Sequence, residues 1–135
     1  MLFRSNDIAL YQLGHDNYAD LKQLGNVNAI TAHQIGINNQ LAVTQQGFGN
    51  SVSALQYGSA NVAVISQYGA YNQSHVWQDG HGNQSRIYQS GSYNGAQVIQ
   101  RGNNNYVDIM QIGIGSRIAV TQYGSDNAAY VLQQN

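Results

Sequence analysis

The sequence predicts an all-β protein, a two-sheet β-solenoid of about six 22-residue rungs with parallel, in-register strands. Three regularities carry this prediction. Glutamine recurs at every eleventh position, glycine follows two residues after each of the first eleven glutamines, and asparagine follows three residues after each glycine, with Ser116 as the single replacement. No insertion interrupts this spacing, which is typical of proteins whose structural copies pack against their neighbours in one dimension.

Charged residues are scarce and prolines are absent. The chain carries five Lys and Arg, six acidic residues and a net charge of −1, and no charged residue lies between Lys22 and Asp79. We therefore expect no nucleic-acid partner, which would need a cationic surface, and no membrane insertion, which would need a long apolar run. Without proline, every strand residue keeps an N–H for a ladder, and without cysteine there is no disulfide framework.

Each eleven-residue unit has the period-two pattern of a half-buried strand. We count positions from the asparagine (or Ser116) as position 0, starting at Asn6. Position 4 is always apolar, position 2 is small or apolar and position 6 is always glutamine, whereas positions 1, 3 and 5 are mixed and include Asp20 and Lys22. A right-handed coiled coil also repeats every eleven residues, but a glycine in each unit would cost such a helix about 1 kcal/mol per copy. The pattern therefore favours strands.

A glycine at position 8 is expected to close each strand. Only glycine adopts a positive φ without strain, so we interpret position 8 and the following three residues as a tight arc that reverses the chain. Two units then make one rung, and alternate units form two facing sheets. The arc glycines are Gly14, Gly25, Gly36, Gly47, Gly58, Gly69, Gly80, Gly91, Gly102, Gly113 and Gly124.

Positions 0 and 6 place amide side chains in the predicted core. Buried amides are costly unless they are hydrogen-bonded, and in an in-register stack each amide can donate to one neighbour and accept from the other. The predicted glutamine ladders contain Gln12, Gln23, Gln34, Gln45, Gln56, Gln67, Gln78, Gln89, Gln100, Gln111, Gln122 and Gln133. The predicted asparagine ladders contain Asn6, Asn17, Asn28, Asn39, Asn50, Asn61, Asn72, Asn83, Asn94, Asn105 and Asn127, and Ser116 interrupts one of them.

Two charge pairs agree with a rung made of two units. Asp79 and Arg101 share position 7 on one sheet, and Arg86 and Asp108 share position 3 on the other, and the members of each pair lie one rung apart. We expect inter-rung ion pairs at both places, each contributing at most about 1 kcal/mol because the groups are exposed.

The repeated unit resembles the curlin repeat of bacterial curli. The match is close in Asn50–Gly58 and Asn61–Gly69 and extends over residues 6–135. The resemblance implies a structural subunit of an extracellular functional amyloid fibre that assembles head to tail in the biofilm matrix and supports adhesion. It also implies a Gram-negative source, with a nucleator, an outer-membrane secretion pore and periplasmic chaperones as partners, and the glutamine and asparagine ladders as the residues that carry assembly.

The chain departs from the best-known curlin pattern in two ways. Both turns of each rung have the same glycine-and-asparagine form, and position 0 is asparagine where the major curlin repeats usually begin with serine. The regular repeats favour a major subunit, with a nucleator as the alternative.

Both ends of the solenoid are expected to be open. A short segment, residues 1–5, precedes a single solenoid domain, residues 6–135, of twelve half-repeats, and the unit that starts at Asn127 still follows the pattern. Solenoid ends without capping repeats offer unpaired strand edges, and a contact that does not close gives an open filament. Residues 1–4 are too short for a secretory signal, so we expect that any such signal has been removed.

The sequence predicts no enzyme, cofactor or metal site. Its only candidate metal ligands besides carboxylates are His15, His33, His75 and His81, and the two that share position 9, His15 and His81, lie three rungs apart. Every Asp occupies an outward or turn position, so no paired inward carboxylates are available for acid–base chemistry.

A monomeric solenoid that binds ice or carbohydrate is the remaining alternative. An ice-binding face would need regularly repeated threonine, and the outward threonines are only Thr31, Thr44 and Thr121.

Overall fold

Twelve parallel β-strands make up the fold. The computed structural model describes residues 5–135 and contains no α-helix in that range. The strands are β1 (Asp7–His15), β2 (Tyr18–Asn26), β3 (Ala29–Ile37), β4 (Gln40–Phe48), β5 (Ser51–Ser59), β6 (Val62–Ala70), β7 (Gln73–His81), β8 (Gln84–Ser92), β9 (Gly95–Asn103), β10 (Tyr106–Ile114), β11 (Arg117–Ser125) and β12 (Ala128–Gln134). Residues 1–4 of the predicted N-terminal segment lie outside the described residues.

The strands form two six-stranded sheets. Odd-numbered strands follow one another in the first sheet, in the order β1-β3-β5-β7-β9-β11, and even-numbered strands do so in the second. Each residue pairs with its equivalent two units later, as Gln34 does with Gln56. The predicted solenoid of about six rungs, with parallel in-register strands, is therefore confirmed.

The core lies between the two sheets and is filled from positions 2 and 4. Its apolar members are at most 6% exposed. They are Ile30, Ala32, Leu41, Val43, Val52, Ala54, Ala63, Ile65, Val76, Ile87, Ala96, Val98, Val107 and Ile109. Their alternation with outward residues follows from the period-two pattern of each strand, whereas β1, at the edge of its sheet, is exposed along its whole length.

The chain turns later than the sequence predicts. Each glycine at position 8 has φ between 99° and 131°, but the strand continues through it to position 9. The reversal follows at position 10, which is left-handed in all eleven arcs with φ between 54° and 71°. Eight of these residues are not glycine: Asp16, Val27, Asn38, Ala60, Tyr71, Tyr93, Asn104 and Asp126. Each arc thus uses two positive-φ residues, and the expectation that the glycine at position 8 closes the strand is wrong.

Backbone hydrogen bonds explain why position 10 tolerates unfavourable residues. The N–H of Ala60 donates to the carbonyl of Ile37 at 3.0 Å, and the N–H of Tyr71 donates to the carbonyl of Phe48 at 2.9 Å. The arcs therefore continue the strand ladder from rung to rung. Since the whole stack specifies this geometry, it overrides the local preference of a single side chain.

No helix in residues 5–135 has the length and apolar character needed to cross a bilayer.

Candidate assembly site: amide ladders and open strand edges

Two glutamine ladders run through the core parallel to the solenoid axis. In the first sheet, five successive Nε2–Oε1 hydrogen bonds of 2.6–2.9 Å connect Gln12 to Gln122. In the second, four bonds of 2.8–2.9 Å connect Gln23 to Gln111. In every one of these bonds a glutamine donates to its equivalent in the next rung, so all these amides point in the same direction along the axis.

The second glutamine ladder stops one step before the last glutamine. Gln111 Nε2 donates to the carbonyl of Gly95 at 3.0 Å, and Gln133 Oε1 is buried with no partner. Sequence spacing alone predicts a bond between Gln111 and Gln133, because it assigns every glutamine an equivalent place in the stack. The glutamine ladder is thus less complete at the β12 end than in the interior.

Glutamine side chains also connect the two sheets. Gln34 Nε2, for example, donates to the carbonyl of Tyr18 in the facing sheet at 2.9 Å. An inward serine joins the same network, because Gln67 Nε2 lies 3.1 Å from Ser74 Oγ and that hydroxyl donates to Gln89 Oε1 at 2.8 Å. Nothing in the repeat pattern indicated that Ser74 connects two successive glutamines.

The asparagine ladders run with the opposite polarity. Asn50 donates from both its backbone N and its Nδ2 to Oδ1 of Asn28, each at 3.1 Å. Nine such Nδ2–Oδ1 bonds, 2.9–3.1 Å long, occur along the two edges of the stack. Asparagines donate towards the N-terminal rung and glutamines towards the C-terminal rung, so each end of the stack offers both donors and acceptors.

Asparagine also holds the arcs in place. Asn50 Nδ2 makes a second bond, 2.9 Å long, to the carbonyl of Gly69. Ser116 keeps only part of this arrangement: its backbone N–H donates to Asn94 Oδ1 at 3.1 Å, while its hydroxyl accepts from Asn135 Nδ2 at 3.0 Å. The second donor to Asn94 Oδ1, present in other rungs, is missing here because serine has no amide.

The glycines at position 8 stack with almost no space between rungs. A Cβ added at Gly58 would lie 2.1 Å from the carbonyl oxygen of Gly80, and the nine glycines from Gly14 to Gly102 give corresponding distances of 1.8–2.1 Å. These contacts are shorter than any real Cβ contact. Glycine is therefore required both for its positive φ and for the close approach of successive rungs.

Each end of the described stack presents strands that pair on one side only. These strands are β1 and β2 at one end and β11 and β12 at the other. At the β2 edge, Gln23 Oε1 is buried and has no donor. Unpaired edges of this kind are templates for pairing with another strand.

A comparison with protein families gives four matches to the curlin associated repeat, at residues 4–47, 36–69, 49–80 and 94–124. The chain belongs to the curlin family. The comparison with curated proteins yields no match. Its curlin repeats make this chain a curli-type subunit. The role of the curlin family is structural rather than enzymatic, and its members form extracellular curli fibres.

Of the two inter-rung ion pairs that the sequence predicts on the outer faces of the curlin solenoid, only one forms. Arg86 Nη1 lies 3.9 Å from Asp108 Oδ2, but Asp79 and Arg101 form no ion pair although their backbones are paired. The Arg101 guanidinium instead lies 4.3 Å from the centroid of the Trp77 ring. The expectation for Asp79 and Arg101 is therefore wrong, because a neighbouring indole face attracts the cation in place of the carboxylate.

The curlin surface also has an ion pair within one strand, which the repeat spacing does not predict. Lys22 Nζ lies 3.2 Å from Asp20 Oδ2, and both side chains are largely exposed. They stand two residues apart on one strand, so they point to the same face. Pairing of equivalent positions in successive rungs therefore does not predict this contact.

The phenol of Tyr106 lies beside a carboxylate on this surface. It donates to Asp108 Oδ2 at 3.4 Å. Desolvation by its neighbours and the negative charge of Asp108 raise the pKa of the Tyr106 phenol. Both causes favour the neutral form of Tyr106.

The histidines lie apart on the curlin surface. His81 Nδ1 lies 2.8 Å from Ser59 Oγ, and the His33 ring lies 5.7 Å from that of Tyr11. Over residues 5–135, no group of three or more histidine or acidic side chains is arranged to hold a metal ion.

Proposed function

We propose that this curlin chain is a structural subunit of an extracellular functional amyloid fibre, to which copies add head to tail. The supporting observation is that the two ends of the described stack are chemically complementary. One end holds the buried, unpaired acceptor Gln23 Oε1. The other end holds Gln122, whose amide makes one donor bond, to the Tyr106 carbonyl, and has a second N–H.

Head-to-tail addition extends every ladder in its existing direction. A second copy placed with its β1 beside β11 and its β2 beside β12 continues both parallel sheets at the same register. In that position Gln122 faces Gln12 of the added copy, and Gln133 faces its Gln23, with donors opposite acceptors. A contact between two β1–β2 ends would place glutamine acceptors against acceptors and would require antiparallel strands. The polarity of the ladders therefore favours head-to-tail contact. Because such a contact does not close on itself, it produces an open filament.

The amide ladders and the arc glycines are the residues that we propose to carry assembly. The ladders satisfy buried amides only when rungs are in register, so they select the correct alignment of an arriving copy. The glycines permit the close approach of rungs that this alignment needs. On this proposal residues 6–135 act as one unit of twelve half-repeats, and the curlin repeat is at once the folding unit and the assembly unit.

The regular repeats favour the role of major subunit over that of nucleator. Glycine occupies position 8 in all eleven units that reach it, and position 10 has the same left-handed conformation in every arc. We further propose that the fibre belongs to the biofilm matrix of a Gram-negative bacterium and supports adhesion. Export through an outer-membrane pore, with periplasmic chaperones and a separate nucleator, is part of this proposal.

A proline placed at one open edge tests head-to-tail addition. The Asp7 N–H donates to the Asn28 carbonyl in the rung of β3. Because N–H groups point alternately to the two sides of a strand, the Leu10 N–H faces the open side of β1. Leu10→Pro removes this donor and puts a ring on the edge, while the bonds to β3 remain. Since every head-to-tail contact uses one β1–β2 end, the pure variant should form no fibres, and small amounts of it should slow growth of the unmodified chain.

The assay follows thioflavin fluorescence at micromolar concentration and fibre diffraction, where the cross-β spacing is about 4.7–4.8 Å. Leu10→Ala is the matched control, because it removes the same side chain but keeps the N–H, and it should still assemble. If the unmodified chain stays monomeric for days, the fibre proposal is wrong. If Leu10→Pro assembles as fast as Leu10→Ala, head-to-tail addition through this edge is wrong.

A further inference from the structure

Six of the ten tyrosines form three pairs that connect successive rungs. The ring centroids are 5.6 Å apart in Tyr68–Tyr88, 5.1 Å in Tyr71–Tyr93 and 5.4 Å in Tyr106–Tyr130. The rings of the first and third pairs are inclined by 41° and 44°, whereas those of Tyr71 and Tyr93 are inclined by only 14°. The Tyr71–Tyr93 pair is thus the closest and the most nearly parallel.

The solenoid arc explains this stacking. Tyr71 and Tyr93 both occupy position 10, in consecutive rungs, with φ of 57° and 60°. Equal backbone conformations in consecutive arcs send both side chains in the same direction. The rung below carries Gly49, and a Cβ there would lie 2.9 Å from Tyr71 Cδ1, so the tyrosine ring covers that glycine.

Both phenols of this pair are accessible and make no hydrogen bond within the described chain. Tyr71 is 43% exposed and Tyr93 is 61% exposed. Tyr106, in contrast, is bonded to Asp108. An oxidant in solution therefore reaches the Tyr71 and Tyr93 rings without any opening of the fold.

We propose that Tyr71 and Tyr93 form an oxidative cross-linking site, at which a haem peroxidase with hydrogen peroxide generates dityrosine. Each phenol loses its hydroxyl hydrogen, as one electron and one proton, to give a tyrosyl radical. The two radicals couple through a new bond between ring carbons ortho to the oxygens, the Cε atoms. The hydrogens on those carbons then move to the oxygens and restore both aromatic rings. One hydrogen peroxide accepts the two electrons and two protons and becomes two water molecules.

Stacking makes this coupling effectively intramolecular. Two radicals held in neighbouring arcs need only a small side-chain rotation, whereas exposed tyrosines such as Tyr18 and Tyr123 must meet another chain. The product links consecutive rungs covalently and closes a loop of one full rung. Such a link restricts the unfolded chain much as a disulfide does, so the oxidised protein should resist denaturant better than the unoxidised protein.

The experiment oxidises the folded chain of residues 1–135 at low concentration with a haem peroxidase and hydrogen peroxide. Dityrosine fluorescence gives the yield, and proteolysis with tandem mass spectrometry identifies the joined residues. In the unmodified sequence, the main product should join Tyr71 to Tyr93 within one chain, at a yield per chain that does not depend on protein concentration.

Variants give a second measurement. Tyr93→Phe keeps the stacked ring but cannot form a phenoxyl radical, and it should lower the intramolecular yield about tenfold or more. Tyr18→Phe is the matched control, since Tyr18 is also 61% exposed, and it should leave that yield unchanged. Circular dichroism checks that both variants keep the fold.

Several results would overturn the proposal. One is a yield that rises with protein concentration and joins tyrosines of different chains. Another is a product in which Tyr68–Tyr88 or Tyr106–Tyr130 dominates, and a third is an equal yield from Tyr93→Phe and Tyr18→Phe. Peptide mapping of the unmodified chain decides the matter even if a variant folds poorly.

Discussion

Gln45 donates from Nε2 to Oε1 of Gln67, 2.9 Å away in the next rung. Gln45 Oε1 in turn accepts from Gln23 Nε2 at 2.8 Å. The side chain of Gln45 is fully buried, so its amide has no access to water as an alternative partner. These bonds stabilise the solenoid, because a buried amide that loses its partner cannot replace the lost bond with one to water.

Replacement of a ladder glutamine should therefore destabilise the solenoid. Gln45→Leu leaves Gln67 Oε1 without its glutamine donor and removes the acceptor of Gln23 Nε2, at about 1–3 kcal/mol for each unsatisfied group. Guanidinium unfolding of the unassembled chain measures the loss. The adjacent Gln46→Leu is the control, because Gln46 is exposed, and it should change the free energy of unfolding by no more than about 0.5 kcal/mol. Equal effects would show that the ladder contributes nothing special.

A methyl group at position 8 should prevent rungs from stacking. In Gly58→Ala the new Cβ meets the Gly80 carbonyl oxygen at 2.1 Å, and φ is +104°. The backbone strain alone costs about 1–3 kcal/mol, and the steric clash adds to it. Gly95→Ala provides the comparison, since its Cβ would meet only Arg117 Cγ at 3.6 Å, and it should fold and assemble normally. Thermal unfolding distinguishes the two, and a stable Gly58→Ala variant would contradict the close-packed geometry.

Relief of strain in an arc should stabilise the chain. Val27 has φ of 62°, a conformation that costs an ordinary L-residue about 1–2 kcal/mol and that asparagine tolerates better. Val27→Asn should therefore raise the free energy of unfolding by about 1 kcal/mol. Val64→Asn, in the extended strand β6, should lower it, because asparagine is unfavourable in strands. A destabilised Val27→Asn variant would mean that packing of the valine side chain outweighs its backbone strain.

Completion of the interrupted asparagine ladder should also stabilise the fold. Ser116→Asn supplies an Nδ2 that can donate to Asn94 Oδ1, which now accepts only the backbone N–H of residue 116. One added hydrogen bond is typically worth about 0.5–1.5 kcal/mol. The reverse change, Asn94→Ser, removes bonds to Asn72 and Gly113 and should destabilise by more. Denaturant midpoints compare both variants, and an unchanged Ser116→Asn would argue against ladder completion.

Alkaline pH should destabilise the solenoid through Tyr106. The pKa of its phenol is raised in the fold above the ordinary 10.0, mainly by desolvation and then by Asp108. A raised pKa for an acid means that the folded state binds its proton more tightly. The resulting stability is therefore fully present below pH 10.0 and is lost as pH rises through the folded pKa. Tyr106→Phe should flatten this part of the pH–stability curve, and Tyr18→Phe should not.

The register of the strands and the identity of stacked residues follow from the sequence alone. An eleven-residue period with inward positions 2, 4 and 6 determines which side chains share the core, and two units per rung determine that Gln34 pairs with Gln56. This inference succeeds because the same constraint repeats many times without insertion. A wrong assignment of inward positions in one unit would disagree with the same positions in all the other units.

Tertiary structure alone decides the contacts that differ from one rung to another. Arg101 lies against the Trp77 ring and forms no ion pair with Asp79, and Gln111 keeps its bond to the Gly95 carbonyl but makes none to Gln133. Both contacts depend on the local geometry of individual side chains, which a periodic pattern does not encode. The left-handed Val27 and Tyr71 have the same origin, because arcs joined by backbone hydrogen bonds impose a conformation that neither residue prefers by itself.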